Sequence, residues 1–127
     1  MPARILVVDD QPLTRELHSE ILKHIGYGAL QAADGGAALA ILGENEIDLL
    51  MTGINQRPPE MDGIELARVA RQRDPRLKVI FVSGDTGDCL EPRDRDRLVR
   101  KPFNLDQLRH AIVDALANPD SEIKSER

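Results

Sequence analysis

Short apolar runs alternate with amphipathic stretches along this chain. Ile5-Leu6-Val7-Val8 is an unbroken apolar run that gives way to acids, the pattern of a strand buried on both faces. From Pro12 to about Ile25 the spacing turns helical. Leu13, Leu17, Ile21 and Ile25 form one apolar stripe, Pro12 suits the first turn and Gly26 the stop. Gly28 to Ala32 reads as a weaker second strand. Asp34 is an N-cap candidate for a second helix, Gly35 to about Gly43, whose apolar content is Ala38, Leu39, Ile41 and Leu42. Asp48-Leu49-Leu50-Met51-Thr52 reads as a third strand, followed by a loop with Pro58-Pro59.

Asp62-Gly63 opens a third helix, about Ile64 to Gln72, which Asp74-Pro75 ends. Leu77 to Val82 is the fourth strand. From Gly84 to Asp96 the chain holds two Gly, one Pro and many charges, with Cys89 and Leu90 its only bulky apolar residues. That stretch supports one or two helical turns at most. Leu98-Val99 is a short fifth strand. Asn104 caps a last helix, about Leu105 to Ala117, with Leu105, Leu108, Ile112 and Leu116 on one face. Residues 1–117 read as one domain, and 118–127 as a charged, disordered tail. Nothing folded fits after Ala117, so a stand-alone domain is expected.

Five strand–helix alternations of this length imply an α/β fold, a parallel sheet with helices on both faces in three layers. Ligands of such sheets sit at the carboxyl ends of the strands. The residues just past each strand are therefore the ones to examine. Strand one ends in Asp9-Asp10, strand three in Gly53, strand four in Ser83, and strand five leads into Lys101-Pro102. Paired carboxylates suit a hard divalent cation such as Mg²⁺, and a hydroxyl with an ammonium suits a phosphoryl oxygen.

Charge and composition narrow the partners. The net charge is −5, with no Trp, one Tyr and two Phe, which argues against nucleic-acid binding and base stacking. The cluster Arg93, Arg95, Arg97, Arg100 and Lys101 is interleaved with acids and reads as a solvated mixed-charge face. Cys89 stands alone, so neither an internal disulfide nor a cysteine zinc site is expected. No apolar run approaches membrane length, and no signal peptide precedes the first strand, so a cytoplasmic location is expected. His18 and His24 on the first helix and His110 on the last read as surface or edge residues without metal-ligand spacing. There is no Gly-x-Gly-x-x-Gly after strand one, and no Gly-x-Ser-x-Gly elbow.

The chain resembles a response-regulator receiver domain over about Arg4 to Ala117. The resemblance is carried by Ile5-Leu6-Val7-Val8-Asp9-Asp10, Asp48-Leu49-Leu50-Met51-Thr52, Met61-Asp62-Gly63, Phe81-Val82-Ser83-Gly84 and Lys101-Pro102-Phe103. It implies a flavodoxin-like, doubly wound five-stranded parallel sheet in the order 2-1-3-4-5. It also implies a Mg²⁺ site at Asp10, Asp9 and the Asn55 carbonyl, a Ser/Thr switch at Ser83, a phosphate-binding Lys101 and a cis Lys101-Pro102 bond. The aromatic switch position falls on Leu98. The phosphoacceptor aspartate should lie five residues after Asp48, and that position is Gly53. The loop from Gly53 to Gly63 is two residues longer than the usual Asp-Ile-x-Met-Pro-Gly-Met-Asp-Gly.

Glycine has no side chain with which to attack a phosphoryl donor or ligate a metal. Asp48 lies at the wrong end of its strand, Asp62 reads as an N-cap, and Glu60 and Asp10 are the remaining substitute acids. The expectation is therefore a pseudo-receiver in two-component phosphorelay signalling. It would not be an enzyme, and it would act through phosphorylation-independent protein–protein contact. Its Mg²⁺ site would be weak or vestigial. Its partner would be a histidine kinase or another signalling protein, with a homodimer as an alternative. Two other readings stand beside it. One is a working receiver with a substitute carboxylate. The other is a small haloacid-dehalogenase-like phosphotransferase or hydrolase, which needs Asp-x-Asp where this chain has Asp9-Asp10-Gln11-Pro12.

Overall fold

A computed structural model describes residues 3–55, 61–84 and 97–117. In chain order these form β1 (Arg4–Val8), α1 (Pro12–His24), β2 (Gly28–Ala32), α2 (Gly35–Glu44), β3 (Leu49–Gly53), α3 (Gly63–Arg73), β4 (Lys78–Ser83), β5 (Leu98–Arg100) and α4 (Leu105–Ala117). The strands make one five-stranded sheet, β2-β1-β3-β4-β5, with every pairing parallel, so the expected fold and order are both present. The stretch 85–96, with Cys89 and the basic run up to Arg95, lies outside the described residues, as do Glu60 and the tail 118–127.

Alternation along the central strands builds two cores. Leu6, Val8, Leu50, Val79 and Phe81 face Ala38 of α2 and Leu66, Ala67 and Ala70 of α3. Ile5, Val7, Leu49, Met51, Ile80 and Val82 face Leu22 of α1 and Leu108, Ile112 and Ala115 of α4. Both faces of β1, β3 and β4 are thus covered, which is why those strands read as continuous apolar runs.

The helix starts follow the predicted caps. Asp34 accepts from the Ala37 amide at 2.8 Å, and Asp62 from the Glu65 amide at 2.9 Å. Asn104 and Gln107 exchange side-chain to backbone bonds of 2.8 Å each, a reciprocal capping box. Gly26, at φ 105°, closes α1 in a conformation that favours glycine. The Lys101-Pro102 bond is cis, as the resemblance implied.

The face of α1 departs from the sequence reading. Leu13 and Leu17 are 86% and 58% exposed, whereas His18, Ser19 and Leu22 are buried. A stripe at spacing four drifts by about 40° per step on a helix of 3.6 residues per turn. Ile21 and Ile25 still reach the core, but the start of the stripe has rotated into solvent. His18, expected at the surface or an edge, takes the inward place.

Candidate functional site

Parallel register assembles the candidate residues at one rim of the sheet. Val8 pairs with Thr52, Gly53 with Val82, and Ser83 with Arg100. Asp9 therefore follows β1 beside the position where Gly53 closes β3. Ser83 closes β4, and the Lys101 amide donates to its carbonyl at 2.9 Å. Asp9 and Ser83 are buried, Asp10 is half-buried and Lys101 is exposed. Leu98 opens β5 opposite Phe81 and packs, half-buried, against the core shared with α2 and α3.

Asp9 is held from several sides. Its amide donates to the Ala32 carbonyl at 3.2 Å, and its Oδ1 accepts from the Gln11 amide at 2.8 Å. The Arg15 guanidinium donates to the Asp9 carbonyl at 2.9 Å. The turn into α1 is thus set by side chains, and Gln11 adds no cap of its own.

The far side of the β3–α3 connection returns to the end of β3. The Gly63 amide donates to the Ile54 carbonyl at 2.8 Å, and Thr52 Oγ1 donates to the Gly53 carbonyl at 2.9 Å. A side chain at Gly63 would run into the Gly53 carbonyl, and one at Gly35 into Met61. The anchor Met61-Asp62-Gly63 is therefore seated on α2 and β3.

The candidate substitute acids divide cleanly. Asp48 sits at the opposite end of the sheet, where its Oδ2 accepts from the Arg4 amide at 2.9 Å. Asp62 is committed as the α3 cap. Asp10 remains at the rim. The cation donors expected from the resemblance are the Asp9 and Asp10 carboxylates and the Asn55 carbonyl, and Gly53 offers no side chain. No cluster of three His, Cys, Asp or Glu side chains able to hold a metal occurs among the described residues. The donor set is one carboxylate short of the site that the resemblance implies.

His18 is the residue the sequence reading missed. Its ring packs on Phe103 with centroids 5.4 Å apart and a 46° tilt. Its pKa is held below the ordinary 6.5, first by burial and second by the charge of Lys101, with Asp9 pulling the other way. A helical wheel anchored on Leu22 instead of Leu13 puts His18 one turn earlier on the same buried face.

Comparison with known proteins matches residues 5–113 to a family model described as the response regulator receiver domain. The chain is 38% identical over 113 residues to the response regulator receiver protein CpdR of Brucella abortus, covering 86% of this chain and 92% of that protein. It is 34% identical over 116 residues to sporulation initiation phosphotransferase F of Bacillus subtilis, covering 88% and 92%. It is 36% identical over 114 residues to the sensor histidine kinase RcsC of Escherichia coli, covering 86% of this chain but only 12% of that protein's length. Among solved structures, it superimposes on the response regulator TrrA of Thermotoga maritima, solved with Mg²⁺ and BeF, with a TM-score of 0.80. Identity there is 32%, over 90% of this chain and 99% of that one. The receiver domain of NtrX from Brucella abortus gives a TM-score of 0.81 at 28% identity, over 91% and 99%.

Proposed function

The chain belongs to the response regulator receiver domain family, whose place is two-component signalling, and from that premise we propose that this member is a pseudo-receiver. The observation that carries the reading is Gly53. It ends β3 beside Asp9, where the family's phosphoacceptor aspartate is expected, and it has no atom with which to attack a phosphoryl group. Asp9, Asp10, Ser83 and Lys101 keep the rim polar, but none of them is read as a replacement nucleophile. A Mg²⁺ ion would meet the carboxylates of Asp9 and Asp10 and the Asn55 carbonyl, and would bind weakly for want of a third carboxylate.

The protein then works by contact. A phosphoryl group that cannot be attached gives no differential affinity for two conformations, so the surface around β5 and α4 is set without it. Leu13 and Leu17, exposed one turn apart near the rim, supply an apolar ridge for a signalling partner. A histidine kinase or another signalling protein is the expected partner, and self-association through the same ridge is the alternative. The net charge of −5 speaks against nucleic acid. No helix among the described residues is long and apolar enough to cross a membrane. A cytoplasmic signalling role, without enzymatic turnover, completes the reading. The hydrolase alternative finds no support in Asp9-Asp10-Gln11, which lacks the spaced second aspartate.

Acetyl phosphate with Mg²⁺, followed by intact-mass measurement, tests the proposal. The expected result is no phosphoryl adduct on the natural chain. An adduct that Asp10→Asn removes would establish the substitute-acceptor reading instead.

A further inference from the structure

Arg15 lies half-buried in the first turns of α1, behind the acidic pair. Its Nη1 donates to the Asp9 carbonyl at 2.9 Å and its Nε to Gln31 Oε1 at 3.3 Å. Gln31 Nε2 donates onward to Glu16 Oε1 at 3.2 Å. Both oxygens that the guanidinium reaches are neutral, and Glu16 is met only through the Gln31 amide. A guanidinium paired with a carboxylate has its charge offset at once; this one carries its charge to the end of β1. With Gly53 in place, the expected site holds, among the described residues, the carboxylates of Asp9 and Asp10 and the cations Arg15 and Lys101.

We propose that Arg15 is a resident cation behind the Asp9–Asp10 pair, whose fixed charge offsets the two acids and opposes divalent cation binding at the rim. The inference deepens the weak-site reading above, and it rests on Asp9 and Asp10 being the acids that would face a cation. A simple clasp joining β1, α1 and β2 makes a different prediction. Loss of a clasp loosens the acids and leaves Mg²⁺ binding equal or weaker. Loss of a resident cation leaves two acids less compensated, and a divalent ion feels that change twice over.

Mg²⁺ titration by calorimetry and by thermal shift separates the two. Arg15→Gln, which keeps amide donors without the charge, should bind Mg²⁺ about three- to tenfold more tightly than the natural chain. Arg15→Lys, which keeps the charge, should match the natural chain. Gln31→Glu combined with Glu16→Gln keeps the contact between positions 31 and 16, leaves Arg15 in place and sets a carboxylate against its Nε, so it should shift affinity in the same direction as Arg15→Gln; it decides the matter if Arg15→Gln does not fold. The gap should narrow in 1 M KCl, where the Debye length falls to about 3 Å. An unchanged or weaker Mg²⁺ affinity in either folded variant overturns the proposal. So does a gain that survives Asp10→Asn in the Arg15→Gln background, because the ion would then be bound elsewhere. A phosphoryl adduct in the acetyl phosphate experiment would overturn the pseudo-receiver reading and leave the Arg15 result standing, so the two failures are distinguishable.

Discussion

The β1–α1 joint and the β3–α3 joint stand side by side at the same rim and differ in what each offers a ligand. At β1–α1 the charged chemistry persists: Asp9 and Asp10 follow the strand, and Asp9 is fastened by Gln11, Ala32 and Arg15. At β3–α3 the scaffold persists, with Gly63 pressed on the Gly53 carbonyl and Asp62 capping α3, but the residue that ends the strand carries no functional group. Backbone packing and site chemistry are therefore separable. A close glycine contact preserves a fold whether or not the neighbouring position can react.

Breaking the scaffold side of that comparison should have the largest effect. Gly63→Ala forces a methyl group onto backbone atoms that cannot swing aside, and urea unfolding should register a loss of about 3 kcal/mol. A loss under ~1 kcal/mol would mean that the joint is not tightly packed.

The chemical side is softer. Asp9→Ala removes the acceptor for the Gln11 amide and should cost about 1 kcal/mol in the same assay. Asp9→Asn keeps an acceptor oxygen and lowers the like-charge density beside Asp10, so it should stay within ~0.5 kcal/mol of the natural chain. Equal losses in the two variants would show that the carboxylate charge, not the hydrogen bond, holds the turn.

His18 ties α1 to the β5–α4 connection through Phe103 and the field of Lys101. Its folded pKa lies below 6.5, so the unfolded chain takes up the proton more readily. Its contribution to stability is therefore whole above pH 6.5 and declines as pH falls through 6.5 toward the lower folded value. The slope stays below the ~1.4 kcal/mol per pH unit that one full proton allows. His18→Leu should flatten the stability profile between about pH 7 and 5. A profile with the same slope in both proteins would assign the acid sensitivity to other groups.

The smallest change is expected at the exposed ridge. Leu17→Ser should alter stability by less than ~0.5 kcal/mol, because the side chain is 58% exposed. Retained stability with weakened partner binding would mark the ridge as a docking surface. A loss above ~1 kcal/mol would mean that Leu17 is part of the core after all.

Much of this arrangement was legible before any coordinates. Apolar runs flanked by polar or charged residues located β1, β3 and β4, because strands covered on both faces leave little room for polar residues. Asp34, Asp62 and Asn104 marked their helix starts because an N-cap needs a short side-chain acceptor at that point. Counting from Asp48 put Gly53 at the end of β3, where the structure has it. What escaped was rotational. A leucine stripe at spacing four does not keep to one face of a helix with 3.6 residues per turn. Leu13 and Leu17 therefore looked like core, and His18 like surface. The Arg15 contact was invisible for another reason. Its acceptor is a backbone carbonyl, and sequence patterns carry no record of which carbonyl a long side chain reaches.

The pseudo-receiver account stands most directly on Gly53, and one paired measurement tests it. The natural chain and Gly53→Asp are incubated with acetyl phosphate and Mg²⁺, and their intact masses are compared. The account predicts no adduct on the natural chain and a single phosphoryl adduct on Gly53→Asp, since Ile54 and Gly63 hold the end of β3 against the start of α3. An adduct on the natural chain would contradict it.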